Sequence, residues 1–415
     1  MKLIFTIFLF LLSINGSAQR CLTPTYISNH PFNNFNTNRV SSLNSSKVDT
    51  LRDTIGNEVI TIPVIVHVLY NNNIQNISDA QVISQIVSLN NDFRRQNADT
   101  VNTPAPFKSV AADTRIQFCL AKVDPNGRYT TGIIHKYTSV TQYTADDAMK
   151  FSSKGGDDAW DASKYLNIWV CNLFGRTLGY AVLPGSPAEK DGIVIQYDVF
   201  GTIGNLIKPF DKGRTVTHEL GHWLGLKHPW GDSDCGDDGI ADTPPQEAAN
   251  SGCPSFPHLS SCSINPYGDM FMDYMDFTND ACMNMFTKGQ AAEMRSLFAE
   301  GGYRNSFLNS TACDSSNAEG GPLPTKNPDS INLKITLYPN PFTNVINISS
   351  TQDDEIIGQT LNLYGTNGKL YLSQIIGSNS TTINTGNLAA GLYILKIEGK
   401  KGTHIYKIIK INGSR

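Results

Sequence analysis

The chain has 415 residues, enough for two or three domains with sizeable cores. Its 33 basic and 37 acidic residues give a formal net charge of −4. That balance argues against a nucleic-acid partner, since binding a phosphate backbone calls for a basic excess.

MKLIFTIFLFLLSINGSAQR opens the chain with one lysine, an apolar run from Leu3 to Leu12, and then Gly16-Ser17-Ala18. That order predicts a signal peptide over residues 1–18. A membrane span needs roughly twenty apolar residues, and no other run comes near that length, so no span is expected. The mature protein is therefore expected to be secreted, where disulfides persist.

Residues 19–52 are rich in Asn, Ser and Thr with little periodicity, and predict a loosely structured pro-segment. Its removal is expected near Arg52. VITIPVIVHVLY (59–70) is dense in β-branched residues and reads as a strand. In DAQVISQIVSLNNDFRRQ (79–96), Val82, Ile83, Ile86, Val87 and Leu89 recur at helical spacing. TRIQFCLAKV, KYLNIWVCNL, LGYAVLP and DGIVIQYDV are four further strand candidates. A helix holds 217–224, residues 229–285 carry Gly, Pro, Asp and Cys without regular pattern, and TKGQAAEMRSLFAE (287–300) reads as a closing helix. Residues 314–330 have the composition of a linker. Short alternating segments with turn signals then predict a small all-β sandwich over 331–415.

THELGHWLGLKH (217–228) carries the chemistry. His218 and His222 lie four apart, so on a helix they share one face and can grip one metal ion, for which zinc is the usual choice. Glu219 is one step round the helix, placed to hold a water and take its proton as general base. Gly225 can adopt positive φ, end the helix and turn His228 back as third ligand. Three protein ligands leave one position open, the arrangement of a catalytic rather than a structural zinc site.

There are eight cysteines. Cys235, Cys253, Cys262 and Cys282 crowd into the irregular segment, and spacing alone leaves three pairings open. Cys119 and Cys171 lie in strand-like runs, as buried thiols or a bridge. Cys21 and Cys313 stand alone near the ends of the region.

HELGHWLGLKH fits the long zinc signature HExxHxxGxxH, and the chain resembles the metzincin metallopeptidases. With GRTVTHELGHWLGLKHPWGD, DDGIADTPPQ and GDMFMDYMDFTNDACMNMFTKGQ it is more narrowly similar to the pappalysin (cytophagalysin) family. The resemblance implies an α+β, two-lobed catalytic domain over residues 53–313: a twisted mixed sheet with helices above an irregular lower lobe, with zinc between. It implies a methionine turn under the metal. Counting back from Cys282 selects Met275 over Met272, which puts Phe277 where the family carries an oxyanion-stabilising tyrosine. Either Tyr274 takes that catalytic role, or the enzyme works without it. Disulfides Cys235–Cys262 and Cys253–Cys282 are implied, as is calcium on Asp238, Asp242 and the Thr243 backbone. Some relatives cut before basic residues with an aspartate in the pocket past the scissile bond, and Asp280 and Asp276 are candidates for it. Cys21 is expected to act as a zymogen switch that fills the open metal position, with a Cys21–Cys313 disulfide as the alternative.

LYPNPFTNVINI, TNGKL, AAGLYILKI and YKIIKI resemble the C-terminal sorting domain of type IX secretion. That implies passage through the periplasm to the cell surface or medium, with the secretion machinery as partner. The expected function is a latent, secreted zinc endopeptidase acting on proteins or peptides. The competing expectation is a catalytically impaired zinc-binding adhesion or interaction protein, for which Phe277 is the best support.

Overall fold

The computed structural model describes residues 20–29, 58–316, 318–319 and, with short gaps, 335–411. The expected signal peptide, Arg52 and most of the linker lie outside the described residues.

Strand β1 (Ile60–Tyr70) is buried without a break from Ile62 to Leu69. A strand apolar on both faces belongs inside a covered parallel sheet. One edge of β1 pairs with β2 (Ile116–Leu120) along its first half and with β3 (Ile133–Tyr137) along its second. Its other edge pairs with β4 (Leu166–Cys171), and β6 (Ile193–Gln196) follows, all parallel. The antiparallel strand β5 (Gly179–Ala181) ends the sheet. β3 was not anticipated, because half-buried IIHKY carries His135 and Lys136 on an otherwise apolar strand.

Helix α1 (Thr23–Asn29) lies within the expected pro-segment. The expectation of loose structure fails over these residues, because long-range contacts order them. Helix α2 (Asp79–Phe93) is capped by Ser78, whose side chain accepts from Gln81 N. It lays Val82, Ile86, Leu89 and Phe93 on the sheet, and α3 (Arg214–Trp223) adds Val216, Leu220 and Trp223 to that core. Helix α4 (Lys288–Ser296) begins with a Thr287/Gln290 capping box.

Between α3 and α4 the described chain forms no helix or strand beyond isolated bridges. It is fastened covalently by Cys235–Cys262 and Cys253–Cys282, the pairs the resemblance implied. A third disulfide joins Cys119 of β2 to Cys313. The Cys21–Cys313 alternative therefore does not form: Cys21 and Cys171 are both buried thiols.

The C-terminal region is a separate all-β unit of seven strands: β7 (Ile335–Tyr338), β8 (Val345–Ser350), β9 (Thr360–Gly365), β10 (Leu370–Ile375), β11 (Ser380–Asn384), β12 (Gly391–Gly399) and β13 (Gly402–Lys410). They form two sheets, β10-β9-β12-β13 and β11-β8-β7. Ile346, Ile348, Leu361, Leu363, Leu395 and Ile397 make its core. Among the described residues, no helix is long and apolar enough to cross a membrane.

Candidate metal centre

The four-residue spacing on α3 brings the His218 and His222 Nε2 atoms to 3.2 Å. His228 joins them, its Nε2 at 3.0 Å from His222 and 3.2 Å from His218. The local reason is the helix end. Gly225 takes φ +90°, its N–H donates to the His222 carbonyl, and the Leu226 N–H reaches back to Gly221 O at 2.9 Å. That closing turn reverses the chain. His228 is then held flat against Trp230, ring centroids 4.4 Å apart.

Each ring has an acceptor at its other nitrogen. His218 Nδ1 faces the Tyr274 carbonyl and His222 Nδ1 the Leu226 carbonyl, both at 2.8 Å, and His228 Nδ1 faces Asp232. Protons held there leave three Nε2 lone pairs aimed at one point. Tetrahedral zinc with bonds of roughly 2.0–2.1 Å needs nitrogens about 3.3 Å apart, so the donor set fits such an ion. Burial holds His218 well below its usual pKa, helped by the other two rings, and holds His222 down to about 3. Both are therefore neutral, as ligands must be.

Cys21 and Thr23, within the expected pro-segment, cover this point. The Cys21 sulfur and the three Nε2 atoms all lie within 4.8 Å of one another, and no other such group of three or more His, Cys, Asp or Glu occurs among the described residues. Burial, then the Glu219 charge, pushes the Cys21 thiol well up. Glu219 is wholly buried, and burial raises its carboxyl to about 8. Its Oε2 accepts from Thr23 Oγ1 at 2.9 Å and from Cys21 at 3.5 Å, while its Oε1 has no partner. Thr23 Oγ1 also accepts from Ala181 N, and Leu22 N donates to Gly179 O, so the segment rides on the β5 edge.

Arg20 is the residue that reading the sequence missed. Its Nη2 donates to Asp280 Oδ1 at 2.9 Å and its Nη1 to the Thr278 carbonyl at 2.5 Å. The guanidinium lies over the Phe210 ring, 5.2 Å from its centroid. The signal available was position alone, since Arg20 directly precedes Cys21. Of the two candidate pocket aspartates, Asp280 meets this cation. Asp276 is spent on fastening the lower lobe, accepting from Asn250 N, Asn250 Nδ2, Gln246 Nε2 and Phe277 N.

Met275 lies under α3. A Cβ on Gly221 would meet the Met275 sulfur at 2.2 Å, so only glycine lets helix and turn approach this closely. Met272 packs in a different cluster, with Phe107, Met270, Phe271 and Met285. The oxyanion role expected of Tyr274 does not hold here. Its hydroxyl donates to Asp92 Oδ1 at 2.9 Å behind the site, and only its carbonyl serves, holding His218. Phe277 takes the place beside the histidines, 4.8 Å from His228 and 5.6 Å from His218 between ring centroids.

Of the residues expected to hold calcium, Asp238 and Thr243 meet, the Thr243 hydroxyl donating to Asp238 Oδ1 at 2.7 Å. Asp238 Oδ2 is buried without a partner. Asp242 turns away to the start of α4, one oxygen on Thr287 Oγ1 and the other on Gly289 N, because the helix needs those orphan donors met.

Residues 151–299 match the peptidase family described as Pregnancy-associated plasma protein-A, and 336–412 match the Secretion system C-terminal sorting domain. An extracellular metalloprotease of Sordaria macrospora is 37% identical over 226 residues, 48% of this chain and 75% of that protein. The solved structure of mirolysin in complex with compound 9 is 53% identical, with TM-score 0.60 over 61% of this chain and 97% of the other. The chain belongs to the pappalysin family of metzincin peptidases. A Tannerella forsythia promirolysin mutant is 47% identical, with TM-score 0.63 over 69% of this pappalysin and 96% of that chain. Other curated relatives match over less of their length: extracellular metalloproteases of Neurospora crassa and Coccidioides posadasii are covered to 65% and 54%. The sorting domain and the extracellular relatives mark this pappalysin as secreted.

Proposed function

We propose that the chain is a latent zinc endopeptidase that cuts proteins before basic residues once its pro-segment is removed. The observation that carries this is the convergence of three Nε2 lone pairs beside Glu219, with Cys21 laid across them. His218, His222 and His228 would hold zinc, which when bound polarises a water and the substrate carbonyl.

The protein's own groups do the rest. Departure of Thr23 and Cys21 frees Glu219 Oε2, and with Oε1 already unpartnered the carboxylate can take the water's proton and return it to the leaving amine. The β5 edge, relieved of Leu22 and Thr23, offers Gly179 O and Ala181 N to an extended substrate. Asp280 would accept the basic side chain that Arg20 now imitates. The unpartnered Asp238 oxygen supports a calcium ion in the lower lobe, drawing on Thr243 but not on Asp242. The terminal sandwich would engage the type IX secretion machinery and be lost on export, a difference that the mature mass reports.

The second reading, an inert zinc-binding interaction protein, is favoured by Phe277, which donates no hydrogen bond, and by the distant Tyr274 hydroxyl. Cleavage-site mapping separates the two. The processed protein is incubated with a denatured protein mixture beside its Glu219→Ala variant. Cuts before Arg or Lys that vanish in the variant and with chelator support the peptidase. A processed, zinc-loaded sample that makes no cuts supports the inert reading.

A further inference from the structure

Gly179 and Ala181 of β5 face α3: a Cβ on Gly179 would meet the Glu219 side chain at 3.1 Å, and Ala181 belongs to the main core. Strand alternation sends Tyr180 to the opposite face. There it joins Met149, Trp169 and the pro-segment's Tyr26 in a second core cluster.

Tyr26 is only 1% exposed. Its ring stacks on Tyr180, centroids 4.9 Å apart at 28°. Its hydroxyl donates to Asp147 Oδ2 at 2.6 Å, and Lys150 Nζ lies 5.6 Å from its ring centroid. Asp147 also accepts from the Tyr180 hydroxyl at 3.1 Å and pairs with Lys150 at 2.9 Å and Lys190 at 3.2 Å. Asp147 has φ +65°, a conformation disfavoured for a residue with a Cβ, and kept only where the surroundings impose it.

Tyr180, Asp147 and Lys150, the walls of this pocket, all lie outside the pro-segment, and Asp147 keeps its Tyr180 and Lys150 partners without Tyr26. The walls fit a phenol at three points. A planar ring matches the Tyr180 face, a hydroxyl meets the Asp147 carboxylate, and a π-face meets the Lys150 ammonium. A phenylalanine keeps the stacking and leaves the carboxylate one donor short. An aliphatic side chain loses both. The same pro-segment puts Arg20 on Asp280, so it fills one pocket of the cleft with a side chain of the substrate's kind.

We propose that the Tyr180, Asp147 and Lys150 pocket is a substrate-recognition site selective for tyrosine, vacated by Tyr26 on activation and reached by the segment on the other side of Cys21 from Arg20. This rests on reading the chain as a peptidase opened by loss of its pro-segment.

The test has two arms. In the first, the processed zinc-loaded protein carrying Glu219→Ala binds a synthetic peptide of residues 20–29 bearing Cys21→Ala, and the same peptide bearing also Tyr26→Phe. One hydrogen bond to a charged acceptor makes the phenylalanine peptide on the order of tenfold weaker. Equal affinities overturn the proposal, and no change to the pocket itself is needed. In the second arm, the processed protein with Glu219 intact cleaves a peptide library with arginine fixed in the Asp280 pocket. Tyrosine should be enriched over phenylalanine at one position on the other side of the cut, and Asp147→Asn should flatten that preference while the basic preference stays. Cuts before arginine with no tyrosine preference overturn the proposal, leaving the pocket a pro-segment anchor. Absence of any cutting sinks the peptidase reading instead, and the peptide affinity ratio still reports on the pocket.

Discussion

The metal centre is built from two regions of unlike local order that share one apolar core. Above it, the sheet and α2 and α3 share one apolar core running from Ile62 and Val66 of β1 to Leu220 and Trp223. Below it, residues 229–285 have no regular element; Tyr274, Met275 and Met283 join the same core, and the segment is fastened further by two disulfides and by buried carboxylates such as Asp276. The upper region supplies two histidines and Glu219. The lower supplies the Tyr274 carbonyl behind His218, the Met275 support and Asp280. The upper part is therefore expected to fail as one unit, and the lower to loosen locally and take specificity with it.

The sharpest break in the upper region is Ile168→Ala. Ile168 is wholly buried in β4 at the centre of the sheet, paired with Val66 and Ile193. Deleting its side chain should cost about 4 kcal/mol, from lost burial and the cavity left behind. Thermal unfolding should shift as a single transition. A shift confined to one part of the catalytic region would refute the shared core.

The counterpart below is the double substitution Cys253→Ser with Cys282→Ser. That bridge spans 29 residues, and opening it should cost about 3 kcal/mol. Cys282 follows Asp280 by two residues, and Cys282 N donates to Asn279 O. The proposed preference for basic residues should therefore fall more than total turnover does. Parallel loss of both would mean that the Asp280 pocket does not depend on the bridge.

The contact between the regions is tested by Gly221→Ala. The added methyl meets the Met275 sulfur at 2.2 Å, and the overpacking should cost about 2 kcal/mol and weaken metal binding. Adding Met275→Ala should recover part of that loss, since neighbouring substitutions couple. Purely additive effects would show that the turn does not press on the helix.

The two regions also differ in how far they were legible. β1, α2 and α3 follow from apolar runs and helical spacing, and the Gly225 turn follows from one residue that tolerates positive φ. Below α3, little periodicity exists to read. The two disulfides there came from resemblance, and the Cys119–Cys313 bridge joins residues 194 apart that no local pattern connects. α1 was missed because seven residues with little apolar spacing are ordered by distant partners, Thr23 by Glu219 and Tyr26 by Asp147. Tyr274 was misread for a related reason. Counting from Cys282 places Met275 and Phe277, but no sequence rule says that the neighbouring hydroxyl points back to Asp92.

That misreading yields the smallest of the predictions and the one that bears on chemistry. Phe277 stands against His228 and His218 with no polar atom on its ring, and 5.0 Å from the Trp230 ring. Catalysis by water attack builds charge on the substrate oxygen, and a preorganised donor aimed at it lowers the barrier. Phe277→Tyr adds such a donor in a pocket already shaped for an aromatic ring. It should raise kcat on the order of tenfold with little change in KM, because the new interaction forms only as charge develops. The ring lies beside two histidine rings and an indole, in tilted and edge-type contacts that the substitution keeps, so the unfolding temperature should stay nearly unchanged. An unchanged kcat would mean that the hydroxyl does not reach the oxygen, and that the charge is met by the metal alone. Phe277 would then be a packing residue that keeps His228 seated on Trp230, and Phe277→Leu should loosen that seat and lower zinc affinity.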